Sequence, residues 1–192
     1  MPLKATASKY RRRITEKPDD MRIREIICKP ALSEQAEDPL ARLAHHKAIG
    51  WDFDLTLIDS PASPVLQDFI KDHPEIRHVI VTFRSHGMQN TIFKELARQK
   101  AAPPQSMFNG ILNIENRAYE EFQHDQTRRL TGVLSGPPTE HELYYWNWKG
   151  LTCKQHGLTA LVDDKADHTE DGCRDAGVTF FNTAWFVPRL HT

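Results

Sequence analysis

The sequence predicts an α/β protein, a Rossmann-like parallel sheet with helices on both faces. Three observations predict it. Short apolar runs, Ala48–Trp51, His78–Thr82 and Leu158–Val162, have the length and β-branched content of buried strands. Helix signals fall between them. Each run ends on an acid or a hydroxyl, Asp52, Thr82 and Asp163, which is where an open parallel sheet places its chemistry.

The elements follow in order. Residues 1–44 mix basic clusters with Pro18, Pro30 and Pro39, and their only apolar stretch is Ile23–Cys28, so they are expected to form an N-terminal extension. From residue 45 to 192 the pattern is that of one catalytic domain. Ala48–Trp51 opens it as a strand, and His78–Thr82 is the next. Ile92 and Leu96, with Met88 one turn earlier, predict a helix over Thr91–Lys100, and Ser106–Ile114 a third strand. Thr139-Glu140-His141-Glu142 is a capping box, so a helix begins there, with Gly157 as its stop. Leu158–Val162 is a strand, Glu170–Ala176 a short helix halted by Gly177, and Val178–Phe181 a last strand.

A chain of 192 residues with 39% hydrophobic and 27% charged residues suits one soluble domain and a tail. No run approaches the roughly 18 apolar residues that cross a bilayer, so no membrane role is expected. The net charge of -1 hides an asymmetry: residues 1–29 carry nine Lys or Arg against four acids. Cys28, Cys153 and Cys173 are odd in number and lack C-x-x-C spacing, which disfavours a disulfide framework or a zinc site. The Arg-rich start has no apolar leader, and a reducing, cytoplasmic location is expected.

Parallel strands bring Asp52, Asp54, Thr82, Asp163 and Asp164 to one edge. A phosphate monoester resists attack by anions, so a carboxylate nucleophile needs neighbouring charge cancelled, and several aspartates at one edge imply a cation such as Mg²⁺. Asp52-Phe53-Asp54-Leu55-Thr56, after apolar residues, resembles the D-x-D-x-T motif of the haloacid-dehalogenase (HAD) superfamily. Thr82 resembles its second motif, Lys149 its third-motif lysine, and Asp163-Asp164 its fourth-motif acidic pair, in family order. The resemblance implies a phosphoric monoester hydrolase that works through an aspartyl-phosphate. Asp52 is then the nucleophile, and Asp54 the general acid, then base. Thr82, Phe83, Arg84 and Lys149 would bind the substrate phosphoryl group, with Thr82 and Lys149 counted as catalytic. Mg²⁺ would be held by Asp52, Asp54 and Asp164, with Asp163 behind them orienting Lys149 or a water.

The capping box puts Lys149 late in a helix, whereas the family lysine precedes one; a break at Gly150 would reconcile the two, and Lys154 and Lys165 compete for the role. Arg84 makes a T-x-R form of the second motif, in which a guanidinium can grip phosphate bidentately. Tyr144, Tyr145, Trp146 and Trp148 form an aromatic cluster of which half belongs to the core. His45 and His46 lack ligand spacing.

HAD enzymes often carry a cap domain in the interval after the first or the second motif. Here the first interval holds little more than a turn and a helix, and the second leaves only 116–138 for a small flap. The chain therefore resembles the capless branch, and the expected substrate is a phosphorylated one that covers the site itself, a nucleotide or a nucleic-acid end. A basic arm with Arg11–Arg13 suits a polyanion. The other class is a HAD-fold nucleic-acid or protein-binding component without significant turnover, which intact Asp52, Asp54 and Asp164 oppose.

Overall fold

The computed structural model describes residues 38–99 and 102–187, so the basic extension before Asp38, Arg11–Arg13 included, lies outside the described residues. The end of the expected extension belongs to the domain. Pro39–Ala44 form helix α1, whose first turn is capped by Asp38 Oδ1 accepting from the Leu40 N–H at 3.2 Å. Its Leu43 is fully buried in the core.

The sheet has five parallel strands: β1 (Ala48–Trp51), β2 (Arg77–Ser85), β3 (Phe108–Ile114), β4 (Ala160–Asp163) and β5 (Thr179–Asn182). Their order is β3-β2-β1-β4-β5, so the chain winds outward one way from β1, then returns and winds the other way. The point of reversal lies between β1 and β4, where such sheets open a crevice at the carboxyl ends.

Side chains alternate across the sheet and feed two cores. Ile49, Trp51, Ile80, Val162 and Phe181 pack with α2 (Ser63–Asp72) and α3 (Gln89–Leu96). Val79, Val81, Leu161 and Phe180 face the other way, onto α4 (Asn116–Leu130), α5 (Glu140–Gln155) and α6 (Ala166–Ala176). Helices on both faces satisfy the apolar strands, as the α/β expectation required.

The predicted strands and helices are present with shifted ends. The helix expected over Thr91–Lys100 runs over Gln89–Leu96 and buries Ile92 and Leu96. The short helix before Gly177 begins at Ala166, and Gly177 ends it in the left-handed conformation, φ 74°. The 116–138 segment is mostly helix: α4 occupies Asn116–Leu130 and packs on α5.

Helix α5 begins on the expected capping box, with Thr139 Oγ1 accepting from the Glu142 N–H at 3.2 Å and Glu142 Oε2 accepting from the Thr139 N–H at 2.7 Å. The break expected at Gly150 does not occur; the helix continues to Gln155. Gly150 is there for packing, since a Cβ on it would fall on the Gly172 carbonyl of α6. Among the described residues no helix is long and apolar enough to cross a membrane.

Candidate active site

Asp52 follows β1 and Asp163 ends β4, the two strands that flank the reversal point; the Asp52 N–H donates to the Val162 carbonyl at 2.9 Å. Pleat alternation turns both carboxylates toward α5. There Lys149 Nζ stands between them, 2.7 Å from Asp52 Oδ1 and 2.5 Å from Asp163 Oδ2, and is 1% exposed. Helix α5 and β4 run oppositely, which explains how a lysine late in a helix reaches a strand's carboxyl end. From Lys149 to Gln155 the helix descends about 9 Å at 1.5 Å per residue. From Ala160 to Asp163 the chain climbs back about 10 Å. Lys149 is therefore level with Asp163. Its competitors Lys154 and Lys165 are exposed.

Both oxygens of Asp163 already accept: Lys149 bonds its Oδ2, and the Lys165 N–H donates to its Oδ1 at 2.8 Å. Asp52, Asp163 and Asp164 offer oxygens that all lie within 4.8 Å of one another. Three carboxylates against one ammonium leave a formal charge of −2 in a largely buried space, the charge a divalent cation cancels. The donors are hard oxygens, as Mg²⁺ requires. Burial pushes the Asp52 carboxyl up to about 7 even though Lys149 pulls it down, and burial also raises Asp164, with Asp163 adding to the effect. Against its own burial, Lys149 is raised above the ordinary lysine value by Asp163 and Asp52.

Asp54 stands apart from this set. The resemblance puts it among the cation ligands, but both its oxygens are taken by Arg84, whose Nε donates to Oδ2 at 2.9 Å and Nη2 to Oδ1 at 2.6 Å. Arg84 also donates to Glu95 Oε2 at 2.8 Å and to Thr91 Oγ1 at 3.3 Å, and lies 4.7 Å from the Phe53 ring centroid. The hydrogen bonds it donates to Asp54 and Glu95 raise its pKa. In this structure the guanidinium is committed to two carboxylates. Glu95, eleven residues on in α3, is a member of the site that the sequence did not indicate.

Thr82 is buried in β2, three residues before the strand ends at Ser85, and its Oγ1 accepts from the Arg84 N–H at 3.2 Å. Phe83 turns the other way and lies beneath Lys149, with Nζ 4.4 Å from the ring centroid. Tyr145 stacks on Phe83 at 4.2 Å and on Phe122 at 3.7 Å, nearly parallel to both. Both faces of Tyr145 are therefore occupied, and Trp148 is buried against Phe83. These two rings serve the wall behind Lys149 and leave no face for a nucleobase. On β3, Asn113 donates through Nδ2 to the Arg84 carbonyl at 2.9 Å, while its buried Oδ1 has no partner among the described residues.

The loops after β1 and β2 carry exposed Leu55 and Met88. Leu55 adopts φ 57°, an uncommon conformation for a leucine, in the turn that places Asp54. Neither the protein-family models nor the curated proteins nor the solved structures compared with this chain give a match.

Proposed function

We propose that the protein is a Mg²⁺-dependent phosphatase of the HAD type, hydrolysing a phosphomonoester with Asp52 as nucleophile. What carries the reading is the joint placement of Asp52, Asp163 and Asp164 around one point at the reversal of the sheet, with Lys149 buried between two of them. The resemblance to D-x-D-x-T at Asp52–Thr56 supports it from the sequence.

In this reading a carboxylate oxygen of Asp52 attacks phosphorus, and the bond to the leaving oxygen breaks as that oxygen takes a proton from Asp54. Lys149 holds Asp52 in place and offsets charge on the phosphoryl group without reorganising, because Asp163 and the wall of Phe83 and Tyr145 fix it. The buried Thr82 hydroxyl is the donor for a phosphoryl oxygen. Asp52 and Asp164 would hold Mg²⁺, which would supply the charge cancellation between the carboxylate and the phosphoryl group. Water then attacks the aspartyl-phosphate, Asp54 accepts its proton, and Asp52 leaves as a carboxylate. The substrate class, a nucleotide or nucleic-acid end, rests on the basic arm and the small interval left for a cap.

A panel of phosphomonoesters assayed with and without Mg²⁺ tests the reading. Turnover is expected only with the metal, and Asp52→Asn is expected to abolish it while leaving the fold intact. Asp164→Ala should shift the Mg²⁺ titration to higher concentration by at least about tenfold, since a direct ligand is lost. Hydrolysis by folded Asp52→Asn at the wild-type rate would remove the nucleophile assignment. An effect of Asp163→Ala on the metal titration larger than that of Asp164→Ala would exchange the roles of the two aspartates.

A further inference from the structure

We infer that Arg84 and Glu95 form a clamp that positions Asp54 as the base of the second half-reaction, and that Arg84 is not a phosphate-gripping residue. The inference rests on the phosphatase reading for its catalytic part and on the hydrogen-bond geometry for the clamp.

The charge count is the first argument. Arg84 brings one positive charge to a corner where Asp54 and Glu95 bring two negative ones, all three partly buried. Such a corner has no positive charge left over for a phosphate. The geometry is the second. The fork of Arg84 meets Asp54 through Nε and Nη2, one bond to each carboxylate oxygen, which fixes the plane of the carboxylate as well as its position. Glu95 takes the same Nη2, and Thr91, itself bonded to the Met88 carbonyl, takes Nη1. The Asn113 amide holds the Arg84 carbonyl at 2.9 Å. Arg84 is thus anchored at its backbone, along its ring contact with Phe53 and at three of its nitrogens. An arginine meant to close on an incoming anion would not be fixed so completely.

One bond from Arg84 to each oxygen fixes the carboxylate of Asp54 and leaves each oxygen a second lone pair, so the oriented group can still take a proton. In the two-step reaction Asp54 acts in that form once, when water attacks the aspartyl-phosphate: the water proton passes to Asp54, a new phosphorus–oxygen bond forms, and the bond from phosphorus to Asp52 breaks. The clamp therefore serves dephosphorylation. The first step needs Asp54 protonated, and for a substrate with a good leaving group it needs little acid assistance.

The kinetic consequence separates this role from phosphate binding. With p-nitrophenyl phosphate, Arg84→Ala should lower kcat by at least about tenfold and lower KM in parallel, leaving kcat/KM within about threefold of wild type, because only the step after the covalent intermediate is slowed. Acid-quenched Arg84→Ala enzyme should hold more protein-bound phosphate than wild type. Glu95→Gln, a milder change, should show the same pattern to a smaller degree. A raised KM with unchanged kcat would overturn the inference and restore Arg84 as a phosphate ligand. The clamp itself is tested apart from turnover: Tm losses of Arg84→Ala and Glu95→Ala should be less than additive in the double variant, and full additivity would remove the clamp. If wild type with Mg²⁺ hydrolyses no phosphomonoester, the phosphatase reading and the catalytic role fall together, while the Tm cycle still decides the clamp.

Discussion

Two carboxylate–cation–carboxylate sets occupy the carboxyl edge of the sheet, one on each face, and they differ in depth. Lys149 with Asp52 and Asp163 is buried, with side chains 1%, 9% and 0% exposed; Arg84 with Asp54 and Glu95 is 18%, 49% and 31% exposed. The chemistry of the pairs is alike, so the difference in consequence comes from solvent. Charges out of water interact strongly but cost much to desolvate, and an apolar replacement of the whole set is often neutral or stabilising. A fold does not need the Lys149 set for stability, which argues that the set is kept for what it does. Pairs that keep some solvent are partly screened and contribute less, so the Arg84 set acts chiefly through geometry, fixing the orientation of one carboxylate.

The largest effect expected from this contrast is at Lys149. Lys149→Met removes the cation that stands between two buried carboxylates, and breaking such an arrangement on one side typically costs about 3–5 kcal/mol. Urea unfolding of Lys149→Met at neutral pH should show a loss in that range, together with loss of turnover. The more solvated Arg84 set should lose less from Arg84→Ala, about 1–2 kcal/mol. Equal losses at the two positions would show that depth is not what separates them.

The sequence made one set legible and hid the other for physical reasons. Asp52 and Asp163 could be found because strand ends in a parallel sheet converge wherever they lie in the chain, whereas β2 runs three residues past Thr82. Lys149 was harder: its place depends on helix α5 descending past β4 while the strand climbs, and Gly150 looked like a breaker when its role is to admit the backbone of α6. Arg84 was visible, but its partner Glu95 belongs to a separate element, so its charge looked available for phosphate. Helix α1 was missed although Asp38-Pro39 is a cap followed by a first-turn proline, because only Leu43 is fully buried behind it. Helix α4 was missed because it buries only Ala118 and Asp125, too little to give an apolar period.

A third pair lies between the two sets in character and tests whether α5 is held by its first turn. Glu142 is fully buried, caps α5 and meets Arg129 through both oxygens, at 2.5 and 2.6 Å, while Arg129 is 25% exposed. Chiefly through the Arg129 hydrogen bond, and against its own burial, the Glu142 carboxyl is held down at about 2. A depressed carboxyl contributes stability that is present above its unfolded value and lost as pH falls through its folded one, so the contribution declines from about pH 4.5 toward 2. Glu142→Gln should therefore be less stable than wild type at pH 7, by about 1–3 kcal/mol for the charge-assisted hydrogen bonds to Arg129 that are weakened, with the gap closing toward pH 2. A gap independent of pH would mean that shape, not charge, is what Glu142 supplies to the start of α5.

The smallest expected effect concerns the turn that brings Asp54 to Arg84. Leu55 sits at φ 57° and is 52% exposed, so it combines an unfavourable backbone conformation with only partial burial. A left-handed conformation costs a residue of this kind roughly 1–2 kcal/mol, and asparagine tolerates it because its short polar side chain bonds locally. Against that, half of a leucine's burial is worth roughly 1 kcal/mol and would be lost. The two terms nearly cancel, and Leu55→Asn should change stability by no more than about 0.5–1 kcal/mol and leave kcat unaltered. Leu55→Val keeps an apolar side chain but branches at Cβ, which disfavours positive φ, and should lose about 1–2 kcal/mol together with part of kcat. Paired denaturation curves and rates for these two variants compare backbone with contact. If valine is tolerated and asparagine is not, the apolar contact of Leu55 is what holds the turn, and Asp54 is oriented by packing instead of by the Arg84 clamp.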